Sequence, residues 1–383
     1  MDFDYNDDQK ALKEEARRFL TNVAPLSAVR AVYDAPELGH DAALWQRVAR
    51  EQGWCGTAIP EEYGGLGLGY VELCALAEEL GRALTPVPFG PTVYQFAESL
   101  LLAGSEAQKQ AVLPQVAAGE LVGTLAVTEG PGVPSAAGIS TRFADGRLTG
   151  AKLPVTDGMA ADRAVVLAQD GTGLSLFLVD LRGEGVTVGP LSVLDPSRGG
   201  ARVTFADAPA ERLGKAGEGL ALLARTDDRA AVLYAFEQLG GADRCLEMAR
   251  DYALERYAFG RPIGSYQAIK HKLADVFVKN SIARANAYYG AWALSADAPE
   301  LPVAAASAHI AGAAAYWLAS KENIQTHGGI GVTWEADCQL FYRRSRHLAL
   351  IMGSPRLWKR RLIDRIETRE ASRAEQISKG AAA

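Results

Sequence analysis

The chain predicts an α+β fold in which helices open and close the sequence and a β region separates them. Three observations carry this. Apolar residues recur at three- and four-residue spacing up to about residue 120, short β-branched runs broken by glycine follow to about 225, and long helical periodicity returns from 226 to about 370. At 383 residues there is room for three such units, and 48% hydrophobic against 22% charged residues indicates globular domains rather than disorder.

In residues 1–120, Leu12, Ala16, Phe19 and Leu20 form one amphipathic face after Asp7 and Asp8. A second helix over 42–52 ends at Gly53, and the Pro- and Gly-dense Ile59–Gly67 stretch reads as a compact turn. Tyr70–Arg82, with Leu73, Leu76 and Leu80 inward, and Val93–Ala103 are further helices. Residues 121–225 hold the runs at Arg147, Ala164–Ala168, Leu174–Val179 and Ala201–Phe205, which predict a small antiparallel sheet or barrel. The third unit, 226–370, is expected to be a four-helix bundle. Thr226 with Asp227 and Asp228 reads as an N-cap with first-turn acids, and Ser265 as the cap of the next helix. Pro302 suits a first turn, Gly328 and Gly329 a helix end, and Ser354-Pro355 the start of a last helix through Ile366. The polar tail 371–383 is expected to fray.

Composition narrows the function. A formal net charge of −6 with no basic block argues against nucleic-acid binding. Arg343-Arg344 and Lys359-Arg360-Arg361 read as solvated helix faces. Val303–Ala319 carries Ser307, His309 and a glycine among its alanines, so it reads as a buried helix and no membrane span is expected. The acidic N-terminus lacks the apolar core of a signal peptide, and Cys55, Cys74, Cys245 and Cys338 are scattered without metal-type spacing. These features point to a cytoplasmic protein with reduced thiols and no metal site.

Two stretches carry chemistry. Arg256, Phe259 and Gly260 lie at a helix-to-helix turn, where a guanidinium can hold a pyrophosphate while the ring packs on a base. Taken alone, the turn reads rather as a plain corner with a surface arginine. Gln325-Thr-His-Gly-Gly-Ile-Gly supplies glycines where a backbone must approach something closely; a helix C-cap accounts for Gly328 and Gly329 but not Gly331.

With Ile59–Gly67, Thr128-Glu129 and 152–162, the stretches Glu255–Asp275 and Gln325–Glu335 resemble the acyl-CoA dehydrogenase family over nearly the whole chain. The resemblance implies bound FAD, an acyl-CoA thioester substrate, a tetramer built as a dimer of dimers and an electron-transferring flavoprotein as acceptor. It also implies α-proton removal by a carboxylate with transfer of the β-hydrogen as hydride to the flavin. It assigns Arg256, Phe259, Gln325 and Gly329 to the ADP part of a neighbouring subunit's FAD. Thr128, Thr156 and Ser354 are assigned to cofactor contacts.

This sequence departs from the family at the reaction centre. Where most members carry the catalytic Glu before a Gly-Thr pair, it reads Met352-Gly353-Ser354, and at the position where other members place the base, after Arg229, it has Ala230. Glu237 is the nearest carboxylate on that helix and the candidate displaced base. The family's Thr-Glu-Pro-Gly-Ala-Gly-Ser-Asp run becomes Thr128-Glu-Gly-Pro-Gly-Val-Pro-Ser135, and its Trp-Ile-Thr becomes Pro154-Val-Thr156. The losses fall on the half-site a subunit builds for its own flavin, and the retained residues on the half-site it lends. The leading expectation is a subunit of a mixed α2β2 assembly that completes a homologous partner's FAD site, in the manner of heteromeric members acting on steroid side-chain CoA thioesters. The alternatives are a homotetramer with Glu237 as base and a non-catalytic CoA-thioester-binding scaffold.

Overall fold

The computed structural model describes residues 5–36, 39–132 and 134–381, with side chains up to residue 371. Val133 of the altered loop and the last two residues of the tail lie outside the described residues.

The helical opening begins with a reciprocal cap. Asn6 accepts from Gln9 N at 2.8 Å while Gln9 Oε1 accepts from Asn6 N at 3.0 Å, which starts α1 (Asp7–Val23). Then come α2 (Leu26–Asp34), α3 (Ala42–Gln46) with a following π turn, α4 (Tyr70–Arg82), α5 (Glu98–Ala103) and α6 (Glu106–Ala117). Seven strands follow: β1 (Gly123–Ala126), β2 (Arg142–Ala144), β3 (Arg147–Thr156), β4 (Arg163–Gln169), β5 (Leu174–Asp180), β6 (Val186–Leu191) and β7 (Gly200–Leu213). Pairing runs in a closed circuit through β2, β3, β7, β5 and β4, with β1 added to β4 and β6 to β7. The predicted barrel is therefore present. Its pairing is antiparallel except where β4 meets β1 and β2 in parallel, because the β2–β3 hairpin supplies the crossover between β1 and β4 that parallel pairing needs.

The closing helices are α7 (Gly219–Glu255), the β8 (Tyr257–Ala258) and β9 (Arg261–Pro262) ribbon, α8 (Gln267–Ser295), α9 (Leu301–His327), α10 (Cys338–Leu348) and α11 (Pro355–Ala381). α7 is the central rod: α8 and α9 pack on it from the bundle, and α4 packs on it from the N-terminal unit. The α4–α7 crossing depends on two glycines facing each other's backbones. A Cβ on Gly240 would stand 1.8 Å from Glu78 O, and one on Gly81 would stand 1.9 Å from Glu237 O. Any side chain at either point would force the helices apart.

Three boundary expectations are corrected. α7 starts at Gly219 rather than Thr226, with no side-chain cap; burial of Leu222 and Leu223 sets its start. Thr226 is inside the helix beside Ser99, and Asp227 and Asp228 face Arg361 and Arg365 of α11 instead of the helix N-terminus. Ser265 does not cap α8: its hydroxyl donates to Pro262 O at 2.7 Å, and α8 follows Tyr266 without a side-chain cap. The tail continues as helix to Ala381 instead of ending near Ile366. α9 is the one described helix long and apolar enough for a bilayer, yet its Ala304, Ala308, Gly312 and Ala315 are buried in the bundle, as expected for a core helix.

Candidate functional site

A cavity of about 570 Å³ opens where the barrel meets α7 and the α10–α11 connection. Barrel residues Thr128, Pro131, Pro134, Pro154 and Thr156 form one side. Leu220, Leu223, Ala224 and Asp227, one stripe of α7 at helical spacing, form another. Leu350, Ile351, Met352 and Arg361 complete it, with Asp195 and Arg198 from the β6–β7 connection.

Thr128 and Thr156 both line the cavity. Leu153 N donates to Thr128 O and Gly130 N to Leu153 O, both at 2.9 Å, which ties the altered loop to β3. Behind it Glu129 accepts from Lys152 Nζ (2.7 Å), from Ser140 N and Oγ (2.7 and 2.5 Å) and from Thr141 N and Oγ1 (2.9 and 2.6 Å). Burial raises the Glu129 carboxyl, but the Lys152, Ser140 and Thr141 hydrogen bonds outweigh it and hold the group at about 2. Burial also lowers Lys152 to about 8. The loop is well anchored, but Pro131, Pro134 and Pro154 face the cavity without the N–H donors that other residues bring. The fit to a flavin ring in this chain's own cavity is correspondingly reduced.

Met352 lines the cavity, and its carbonyl accepts from Trp358 Nε1 at 3.2 Å; its side chain has no proton-accepting group. Ser354 is elsewhere. It is exposed and caps α11 by accepting from Leu357 N at 3.3 Å, so a cofactor contact in this cavity is corrected to a capping role.

The Glu237 expectation is also corrected. Glu237 is 2% exposed, does not line the cavity, and accepts from Arg198 Nη1 at 2.9 Å with Arg344 Nη1 3.5 Å away. It belongs to a buried network. Arg344 donates to Asp195 Oδ2 (2.6 Å) and Ser197 Oγ (2.8 Å), Tyr33 donates to Asp195 Oδ1 (3.0 Å), and Arg198 Nε stands 3.3 Å from Asp157. Burial opposes ionisation of Asp195, yet Arg344 holds it at about 2, whereas burial outweighs Arg198 at Asp157 and lifts that carboxyl to about 7. A carboxylate held between two guanidiniums and away from the cavity is not placed to meet a substrate there. The same network overturns the reading of Arg344 as a solvated residue: it is 1% exposed. Arg361 departs from that reading too, pairing with Asp227 and lining the cavity.

Asp227 is the site residue that sequence reasoning missed, because Thr226-Asp227-Asp228 looked like a helix start. The signal was available in the spacing of Leu220, Leu223, Ala224 and Asp227, which places all four on one helix face.

Arg256, Phe259, Gln325 and Gly329 lie at a different place, none of them in the cavity lining. The structure brings their two stretches together: Tyr252 near the end of α7 stacks on His327 at the end of α9, rings 4.1 Å apart and 26° from parallel. Phe259 and Gly260 form the two-residue turn of the β8–β9 ribbon with φ of +52° and +79°. Arg256, Gln325 and Gly329 are exposed, and the Phe259 ring is 97% exposed. Leu254, Tyr257 and Val332 add exposed apolar surface on the same two stretches. An arginine, an aromatic ring and open glycine backbone thus lie exposed together where the C-terminal ends of α7 and α9 converge.

The helical–barrel–helical order with a cavity between barrel and bundle is the architecture expected from the resemblance to the FAD-dependent acyl-CoA dehydrogenases. The comparisons agree. Residues 6–120 match the model of the acyl-CoA dehydrogenase N-terminal domain and residues 217–366 that of the acyl-CoA dehydrogenase C-terminal domain. Acyl-CoA dehydrogenase IpdE2 of Mycobacterium tuberculosis is 33% identical over 93% of this chain and 96% of its own. Among solved structures, a variant of the Tcur3481–Tcur3483 steroid ACAD superimposes with a TM-score of 0.86 at 30% identity, over 95% of this chain and 99% of that one. The ChsE4–ChsE5 complex from Mycobacterium tuberculosis gives 0.85 at 25%, over 96% and 99%. The chain belongs to the acyl-CoA dehydrogenase family.

Proposed function

We propose that this chain is a subunit of an acyl-CoA dehydrogenase assembled from homologous subunits, and that it completes the FAD site of its neighbour by presenting Arg256, Phe259, Gln325 and Gly329 to the ADP end of that cofactor. When bound, FAD accepts the β-hydrogen of the acyl-CoA as hydride; this chain's exposed corner binds and orients, and does no chemistry itself.

The observation that carries the reading is Phe259. A phenylalanine with positive φ is disfavoured by roughly 1–2 kcal/mol, and full exposure of its ring gains nothing from burial. Both features gain a reason if a ligand held by another subunit covers the ring. The neighbour is proposed to be a distinct homologous chain, because Met352 and the cavity prolines depart from the family pattern in this chain's own cavity. The heteromeric names of two solved relatives support that choice, and the steroid label of one supports a bulky, steroid-derived acyl-CoA. An electron-transferring flavoprotein as acceptor and a cytoplasmic location are proposed on the family resemblance.

Co-purification with the homologous partner tests the reading. Arg256→Ala is expected to lower the flavin retained per complex at least about 10-fold, consistent with loss of a charge-assisted contact, while leaving the chain folded and paired. Normal flavin content in that variant would remove the lent corner from the account.

A further inference from the structure

A second cavity, of about 500 Å³, opens where α8, α9, α10 and α11 converge. None of Arg256, Phe259, Gln325, Met352 or Asp227 lines it. Its floor is one stripe of α9: Ser307, Ile310, Ala311, Ala314 and Trp317 follow at spacings of three and four or less, and each is only half-buried. Leu362 of α11 adds to the apolar surface.

Three cations stand around this floor, Lys279 of α8, Arg346 of α10 and Lys359 of α11, and no Asp or Glu lines the cavity. Among the described residues none of the three is in an ion pair. Lys279 and Lys359 are exposed, whereas Arg346 is half-buried and its guanidinium is held over the Trp317 ring, 4.7 Å from the centroid. Trp317 in turn rests against Tyr342, one turn earlier on α10, with ring centroids 5.1 Å apart. The guanidinium is thereby fixed beside the apolar floor.

A third cavity, of about 490 Å³ between α1, α4, α7 and α8, gives the contrast. Lys13, Arg17, Arg82, Arg250 and Arg284 line it, and every one is paired with a carboxylate: Glu78, Glu79, Glu247, Asp251, and Glu78 with Asp243. There the chain answers its own cations. Around the α9 stripe it leaves three unanswered, although its net charge is −6.

We propose that this second cavity binds an amphipathic anion, with a carboxylate or phosphate head against Lys279, Arg346 and Lys359 and a slender apolar tail along Ile310, Ala311, Ala314 and Leu362. Its volume lies within the roughly 300–1,000 Å³ of small-molecule sites. The head gains charge-assisted hydrogen bonds from the cations, and the tail takes a half-exposed helix stripe out of water.

Isothermal titration of the purified full chain with octanoate and with octyl phosphate tests this, with 1-octanol and acetate as controls for tail and head. At least one amphiphile is expected to saturate at one site per chain, the tighter of the two assigning the head. The two controls should bind at least about 10-fold more weakly. Binding should also weaken as NaCl is raised. Lys279→Glu with Lys359→Glu reverses two exposed charges and is expected to lower affinity at least about 10-fold, while Ala314→Trp fills the floor and should abolish binding. Arg346 lines the larger cavity as well, so it is left in place. Thermal melting confirms that each variant is folded. Failure of both amphiphiles to bind, equal binding of 1-octanol, or binding unchanged in either folded variant overturns the proposal. So does binding by the lone chain that disappears in the complex with the homologous partner, which would give the cavity to the subunit interface. No flavin enters the titration, so its outcome is distinct from that of the Arg256→Ala experiment.

Discussion

The cavity and the exposed corner answer opposite questions about charge and surface. Around the cavity, Asp195, Arg198, Glu237 and Arg344 are buried and paired within the chain. At the corner, Arg256 and Gln325 are exposed, and Phe259 projects a whole ring into solvent from an unfavourable backbone angle. Internal pairing marks residues that hold this chain together. Unanswered residues at a converging pair of helix ends are the ones the proposed assembly would use. Substitutions in the first region should act on stability, and those in the second on cofactor retention.

The largest expected effect lies in the first region. Arg344→Met removes the cation from between Asp195 and Glu237 and leaves two buried carboxylates with one fewer partner. Breaking a buried pair in this way is expected to destabilise the chain by about 3–5 kcal/mol, measured by chemical denaturation. The folded fraction should still support flavin retention by the partner. A stable Arg344→Met chain whose complex loses flavin would break the division between the regions.

This network explains why part of the site was illegible in the sequence. The helical–β–helical order could be read because apolar spacing is local; the Arg256 and Gln325 stretches stood out as short motifs, and the structure sets them side by side. Glu237 looked like a base because its partner, Arg198, comes from a loop before β7 and nothing on α7 announces it. Arg344 looked solvated because it sits in an Arg-Arg doublet, whereas Asp195 pulls it inward from the barrel side. Asp227 was mistaken for a helix-start acid because local cap signals were stronger than the burial of Leu222 and Leu223 that carries α7 back to Gly219. Long-range ion pairs and burial decide these cases, and neither appears in local spacing.

A smaller effect in the same region is its acid dependence. Asp195 is held at about 2, below the ordinary range near 3.9 for an unfolded aspartate. A depressed carboxylate contributes stability above the unfolded value and loses it as pH falls toward the folded one. The contribution, about 2.5 kcal/mol, should therefore disappear between about pH 4 and about pH 2. Denaturation free energies measured down through that window should fall less steeply in Asp195→Asn than in the unaltered chain. Equal slopes would mean that Arg344 does not hold the carboxylate as the geometry indicates.

The smallest stability change should come at the corner, and with the opposite sign. Phe259→Gly removes a ring that touches little in this chain and relieves a positive φ. The relief of roughly 1–2 kcal/mol exceeds the extra backbone entropy of glycine, roughly 0.5–1 kcal/mol, so the chain should become more stable by up to about 1 kcal/mol. The complex with the homologous partner should meanwhile retain less flavin. A residue whose removal stabilises its own chain and weakens a neighbour's cofactor site is held in place by the assembly rather than by the fold. If Phe259→Gly instead lowered the melting temperature and left flavin retention intact, the ring would belong to the chain's own packing, and the contrast between cavity and corner would fail at its most exposed residue.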